Sequence, residues 1–238
     1  MQRWRMARAM AVWCMVYAGM AAAAGQQLDN AAILRGIDAS VKARLDGIAG
    51  YTDIEHYKVF RNNDETHPAA EMVVKTTYEP KTGKNYTILS QSGSAIILKY
   101  GLKPLLDNEK AINEPGKIEA SWFVSTNYEM NVKPGGPVEK DGRACWAVSI
   151  RPNQKALNLI EGTLWVDAHD FSIVRVEGIS SKSPSIWSGA AHVMRKYEKI
   201  GGFAEATHAR AESDSFLLGR TVVTIDYEGY QIQSRLGR

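Results

Sequence analysis

The sequence predicts a mainly β fold with helices. A large curved antiparallel sheet of roughly ten strands, a half-barrel, carries an N-terminal helix and a second helical segment that covers its concave face. Three observations predict it. From Tyr51 to Gln231 apolar residues return at every second position in run after run, the period of a strand with one buried and one wet face. Most of these runs are joined by short turns, as consecutive antiparallel strands are. Two stretches alone change to a spacing of three or four, Leu28 to Ile48 and Ser94 to Ile112.

In the first of these, Leu34, Ile37, Val41, Leu45 and Ile48 share one face, with Arg35, Asp38, Lys42 and Asp46 between them and Gly47 or Gly50 as the stop. Met72, Val74, Thr76 and Tyr78 then alternate with Val73, Lys75 and Thr77, and Lys81-Thr82-Gly83-Lys84 turns the chain into Tyr86 to Ser90. The second helical stretch sets Ile97, Leu98, Leu102, Leu105 and Leu106 on one face, and Gly101 and Pro104 argue that it is broken or loosely held. Trp122, Val124, Thr126, Tyr128, Met130 and Val132 form the cleanest alternation and predict one strand across all eleven positions. After the Pro134-Gly135-Gly136-Pro137 and Asp141-Gly142 turns come strands at Ala144 to Ile150, Leu157 to Asp167, Phe171 to Gly178, Ala190 to Lys199, Phe203 to Ser213 and Arg220 to Gln231.

The chain opens with Arg3, Arg5 and Arg8 and no acid, followed by the apolar Ala9 to Met20 and the small Ala21 to Ala24. That order predicts a secretory signal peptide cut after Ala24, where Ala22 and Ala24 supply the small-x-small pattern. A spanning helix needs about 20 apolar residues, and this run stops at Gln26 and Gln27. Cys14 lacks the preceding small residues of a lipid-attachment cysteine. The expected organisation is a signal peptide at 1–24 and a single half-barrel domain at 25–238, exported to the periplasm or cell envelope.

Export changes the charge argument. The formal +3 of the chain resides in the three leader arginines, and without them 26 basic residues face 26 acidic ones. No charge excess is left for a nucleic-acid partner. One cysteine, Cys145, remains, so no internal disulfide is expected.

No catalytic constellation emerges. The five histidines, His56, His67, His169, His192 and His208, have no metal-ligand spacing, and Asp167, His169 and Asp170 read as a polar turn between strands. Gln91-Ser92-Gly93-Ser94 lacks the leading glycine of a nucleophile elbow and looks like a helix N-cap. Cys145 alternates with Trp146 in a strand and has no base beside it in sequence. No metal, cofactor or catalytic residue is expected.

A curled sheet partly plugged by two helices leaves room for an apolar ligand between sheet and helix. The residues expected at that cavity or its lid are Ile97, Leu98, Leu102 and Leu105 of the second helical segment, Trp122 and Tyr128 of the following strand, and Ile186 and Trp187. The last two are apolar residues in the Ser/Pro loop Ser183-Pro184-Ser185-Ile186-Trp187, where a mouth, a partner contact and inward packing are all open.

The strand and turn residues Asn127-Tyr128-Glu129, Gly142-Arg143 with Trp146 to Pro152, and Glu161-Gly162-Thr163-Leu164-Trp165-Val166-Asp167 carry a family likeness. Arg175-Val176-Glu177-Gly178, Ser183 to Trp187 and Ile225-Asp226-Tyr227-Glu228-Gly229-Tyr230 extend it. On these the chain resembles the LolA/LolB-like superfamily and, within it, bacterial outer-membrane lipoprotein-sorting proteins, from about Leu28 to Gln231. The resemblance implies an incomplete barrel whose helix-covered concave face takes up acyl chains. It departs from the carriers proper in its longer middle segment, Ser94 to Pro115, and no latch arginine is placed by motif. The expectation is a non-enzymatic periplasmic carrier or sensor whose partners are a hydrophobic ligand or lipoprotein acyl chains. Its alternatives are a docking module for another envelope protein, with a filled cavity, and an envelope hydrolase.

Overall fold

The computed structural model describes residues 29–156, 158–182, 190–215 and 219–235. The expected leader and Ile186 and Trp187 lie outside the described residues. Helix α1 (Asn30–Gly47) leads directly into β1 (Ile48–Arg61), β2 (Ala70–Glu79) and β3 (Gly83–Gly93). A helical segment follows, consisting of α2 (Ala95–Ile97), a π-helical turn (Leu98–Leu102) and α3 (Lys103–Ile112), then a 3-10 turn (Ile118–Ser121). The remaining strands are β4 (Tyr128–Val132), β5 (Val138–Lys140), β6 (Arg143–Pro152), β7 (Ile160–Asp167), β8 (Ile173–Ser180), β9 (His192–Ile200), β10 (Phe203–Ser215) and β11 (Gly219–Ser234).

All eleven strands form one antiparallel sheet in the order β3-β2-β1-β11-β10-β9-β8-β7-β6-β4, with β5 also on β6. The first and last strands pair along almost their whole length, from Ile48 opposite Ser234 to Arg61 opposite Thr221. The first and last strands therefore lie side by side inside the sheet, and its open edges are β3 and β4. The helical segment joins those two edges, so it crosses the open side of the half-barrel.

Two apolar cores result, one under each helical element. Ile33 and Ile37 of α1, both fully buried, pack with Tyr128 and Met130 of β4, Trp146, Val148 and Ile150 of β6, Leu164 and Val166 of β7 and Val176 of β8. Leu102 and Leu106 pack with Tyr57 and Val59 of β1, Met72 and Val74 of β2, Ala209 of β10 and Ile225 of β11. The buried stripe of α1 is turned from the expected one, with Ile33 at its centre and Leu34 and Val41 at its margin. The helix lies close enough that a Cβ at Gly36 would fall 2.5 Å from the Phe171 ring, so any larger residue there would have to displace that ring.

The long strand expected across Trp122 to Val132 is corrected to Tyr128–Val132. Its partner β6 ends at Pro152, opposite Tyr128, so the residues before Tyr128 have no ladder to join. They are held instead by side chains. Ser125 donates its backbone N–H and its hydroxyl to Asp38 of α1, and the Asn127 amide donates to the carbonyls of Glu119 and Trp122. The Asp167-to-Asp170 stretch is the polar turn expected, with the Asp167 carboxylate accepting the N–H groups of His169 and Asp170.

Candidate ligand-binding face

The helical segment begins as the sequence suggests, with the Ser94 hydroxyl accepting the Ile97 N–H. It is not broken at Gly101 and Pro104 but widened there. The Lys103 N–H reaches back five residues to the Leu98 carbonyl. Proline has no N–H to give and its ring crowds the carbonyl four residues earlier. A π turn just ahead of Pro104 accommodates both, and such turns are uncommon and concentrate at functional positions.

Of the residues expected at the cavity, Leu102 is buried against the sheet, and Ile97, Leu98 and Leu105 are half-buried on the same floor. Tyr128 belongs to the other core, beside Phe123. Trp122 is half-buried, and its indole N–H meets no acceptor among the described residues. The structure thus brings four of the eight together beneath the helical segment, and Ile186 and Trp187 lie outside the described residues. Cover and floor are packed side chain to side chain. Two surface grooves, one of about 500 Å³ beside Asp141, Arg143 and Lys196 and one of about 250 Å³ beside His56, Lys58 and Glu71, include no residue of the cover.

Sequence reasoning missed the charges on the concave face. Lys84 on edge strand β3 sets its ammonium 2.9 Å from Glu55 Oε1 of β1 and 3.5 Å from Glu109 Oε2 of α3. Glu55 is fully buried and also accepts hydrogen bonds from the hydroxyls of Tyr57 and Thr76. Burial works against the Glu55 charge, but Lys84 and the two hydroxyls outweigh it and hold the carboxyl below its usual range. Burial likewise opposes the Lys84 charge, and Glu55 chiefly restores it, raising the ammonium well above its ordinary value.

Two residues before Glu55, Asp53 is 2% exposed. Burial first, and then the Glu55 charge, push its carboxyl up to about 7. At the end of α1, Arg44 grips Glu205 of β10 with two hydrogen bonds, 3.0 and 2.5 Å, and also donates to the Ala204 carbonyl. Burial keeps the surrounding phenols of Tyr51, Tyr57, Tyr86, Tyr227 and Tyr230 protonated. The signal for these sites is phase. Asp53 and Glu55 fall on the same alternate positions as Tyr57 and Val59, so a carboxylate stands where the strand pattern calls for an apolar side chain.

Cys145 is fully buried, and burial pushes its thiol up, away from the nucleophilic thiolate. No group of histidine, cysteine and carboxylate side chains suited to a metal ion occurs among the described residues.

The fold and this face define an open antiparallel half-barrel whose concave side is closed by one packed helix and one helical cover widened by a π turn. No protein-family model matches the chain, and no curated protein matches it. Among solved structures it is similar to a LolA superfamily protein from Nitrosomonas europaea, at 10% identity over 87% of this chain and 94% of that one, with a TM-score of 0.47. It is also similar to a domain described as an outer membrane lipoprotein-sorting protein from Vibrio parahaemolyticus, at 12% identity, 83% and 91% coverage and a TM-score of 0.47. A DUF1329 family protein from Desulfovibrio piger shows 13% identity, 87% and 94% coverage and a TM-score of 0.42. At such identities the chemistry has to be read from this chain's own residues.

Proposed function

We propose that the protein is a non-enzymatic carrier or sensor of the bacterial cell envelope that binds lipid, acyl chains or the acyl groups of lipoproteins on its concave face. The observation that supports this is the cover. Its leucines seal an apolar floor of Tyr57, Val59, Met72, Val74, Ala209 and Ile225, yet its backbone is widened into a π turn that contains Gly101 and lies just ahead of Pro104. A segment that is poorly made as a helix and anchored mainly by a few apolar side chains opens locally at a lower cost than the sheet does. When it lifts, the floor it uncovers suits an acyl chain.

Magnitudes favour long chains. Leu98, Leu102, Leu105 and Leu106 gain at most about 1.5–3 kcal/mol each by burial, so displacing the cover costs several kcal/mol. A chain returns about 0.8 kcal/mol per buried methylene, and about ten carbons are needed to balance it. Native mass spectrometry of protein isolated from envelope extracts, with a titration of a fluorescent fatty acid, tests the reading. An acyl-containing molecule that co-purifies, or saturable binding of the probe, is expected. If neither is seen, the carrier reading is wrong.

A second reading, docking to another envelope protein, draws on a different observation. Ile96 and Tyr100 are 71% and 68% exposed, four residues apart on the outer side of the cover, and Ile88 and Leu89 are exposed on the adjacent edge strand. Ile96→Ser with Tyr100→Ser should abolish partner pull-down at unchanged melting temperature if this surface docks a protein. Unchanged pull-down removes it.

A further inference from the structure

Strand β9 differs from its neighbours. None of its residues is fully buried, although it lies in the middle of the sheet. It runs along the seam between the two cores. Arg195 stands directly opposite Val176 of the α1-covered core on one side and Ala209 of the segment-covered core on the other. Residues directly opposite in an antiparallel pair point to the same face, so the Arg195 guanidinium rises from the concave face between two apolar surfaces.

Its charge is held by phenols and not by a bonded carboxylate. Arg44, the other guanidinium of this seam, is pinned on Glu205. Arg195 makes no ion pair with a carboxylate among the described residues, and its buried Nε meets no hydrogen-bond acceptor there. Its guanidinium is hydrogen-bonded to the Tyr197 hydroxyl, and Tyr197 first, with Tyr227 and Glu109 of the cover, outweighs burial and holds its charge. A guanidinium cannot shed its proton, and its planar fork matches a carboxylate or phosphate. The Arg195 Nε is sealed from water and holds no partner among the described residues, a position that a bound oxyanion would satisfy.

We infer that Arg195 is the headgroup site of the bound molecule, and that the ligand is an acyl amphiphile ending in an anionic oxygen group, a carboxylate or a phosphate. This rests on the acyl-binding reading above. The acyl chain occupies the apolar floor under the cover, and the oxyanion sits on Arg195 at the seam, where Tyr197 and Tyr227 donate their hydroxyls. Ala209, next to Arg195 across the ladder, belongs to the apolar floor, so the guanidinium adjoins that floor directly.

The test is a matched set of probes on the full protein: cis-parinaric acid, its methyl ester, and inorganic phosphate as a competitor without a chain. A charge-assisted hydrogen bond contributes roughly 1.5–3 kcal/mol, which is about tenfold to hundredfold in affinity. The acid is expected to bind the wild type at least tenfold more tightly than the ester. Arg195→Gln should bring the acid down to the level of the ester and leave ester binding unchanged, while Arg195→Lys should recover part of the preference. Equal binding of acid and ester to the wild type overturns the headgroup site while the carrier reading stands. Absence of binding by both probes overturns the carrier reading itself. Displacement of the acid by millimolar phosphate shows a site for a free anion and overturns the assignment to an amphiphile. The wild-type comparison needs no variant, so a misfolded Arg195→Gln protein does not block the decision.

Discussion

Glu109 on the cover and Lys84 on the sheet lie 3.5 Å apart, and the same Lys84 ammonium is 2.9 Å from the fully buried Glu55. One cation thus ties the helical cover to the sheet. The two carboxylates are not equivalent, because Glu55 is sealed in the sheet and Glu109 is 20% exposed. Removing the cation strands the first, and removing Glu109 only frees the cover.

Lys84→Met should therefore destabilise the protein by roughly 3–5 kcal/mol, the cost of an unpaired buried charge. Glu109→Gln should cost no more than about 1 kcal/mol and speed the entry of an apolar probe. Urea denaturation and stopped-flow fluorescence of the two variants check this. Equal losses of stability would contradict the asymmetry.

Asp53 sets a pH dependence. Its carboxyl titrates near 7 in the folded protein against an ordinary 3.8. A carboxyl raised by folding stabilises the protein fully below its unfolded value, and that contribution is lost as pH rises through about 7. Glu55, held low, acts in the opposite sense, and its contribution is lost as pH falls below the usual carboxylate range. The gain in stability from Asp53→Asn should be larger at pH 8 than at pH 5 by on the order of 1–3 kcal/mol, and it should vanish only below the ordinary carboxylate value. Denaturation curves at both pH values, for wild type and variant, measure it.

Leu98 and Val148 contrast cover with core. Val148 is fully buried between β4 and β7, whereas Leu98 is half-buried at the π turn. Leu98→Glu should weaken a fluorescent fatty acid at least tenfold, roughly 1.4 kcal/mol or more, and cost less stability than Val148→Glu because the cover can swing the carboxylate to water. Melting temperature and probe affinity of both variants decide. Similar melting temperatures with unchanged probe binding would make the segment ordinary core.

Gly101 tests whether flexibility in the cover matters. A Cβ there would meet Ile97 Cγ2 at 3.6 Å, an ordinary contact, so alanine fits. Gly101→Ala should stabilise the protein by up to about 1 kcal/mol, the difference in helix propensity, and slow the association of the probe. Faster association, or lost stability, would show that the π turn needs glycine for another reason.

Chain length gives the remaining prediction. Affinity for saturated fatty acids should rise by about 0.8 kcal/mol per methylene and become measurable near ten carbons, where the chain balances the displaced leucines. Isothermal titration across a series of six to sixteen carbons reads it. A flat series would place the ligand outside the apolar floor.

The sequence by itself determined most of the elements. A period of two marks a half-buried strand and a spacing of three or four marks a helix whatever lies beyond them. That is why α1, the helical cover with its Ser94 cap, the Gly83 hairpin and the polar turn after Asp167 were legible locally. Only the tertiary structure decided which strands meet. The pairing of β1 with β11 joins residues nearly the whole chain apart, and it alone makes β3 and β4 the edges that the cover bridges. Trp122 to Thr126 alternate as a strand should, but alternation cannot tell that the partner strand ends at Pro152. The same holds for the candidate site. Lys84, Glu55 and Glu109 lie on three separate elements, and Arg195 is one of many arginines in sequence. Each acquires its character from what the folded sheet sets beside it, because the energy of a buried charge is fixed by its neighbours in space and by the water they exclude.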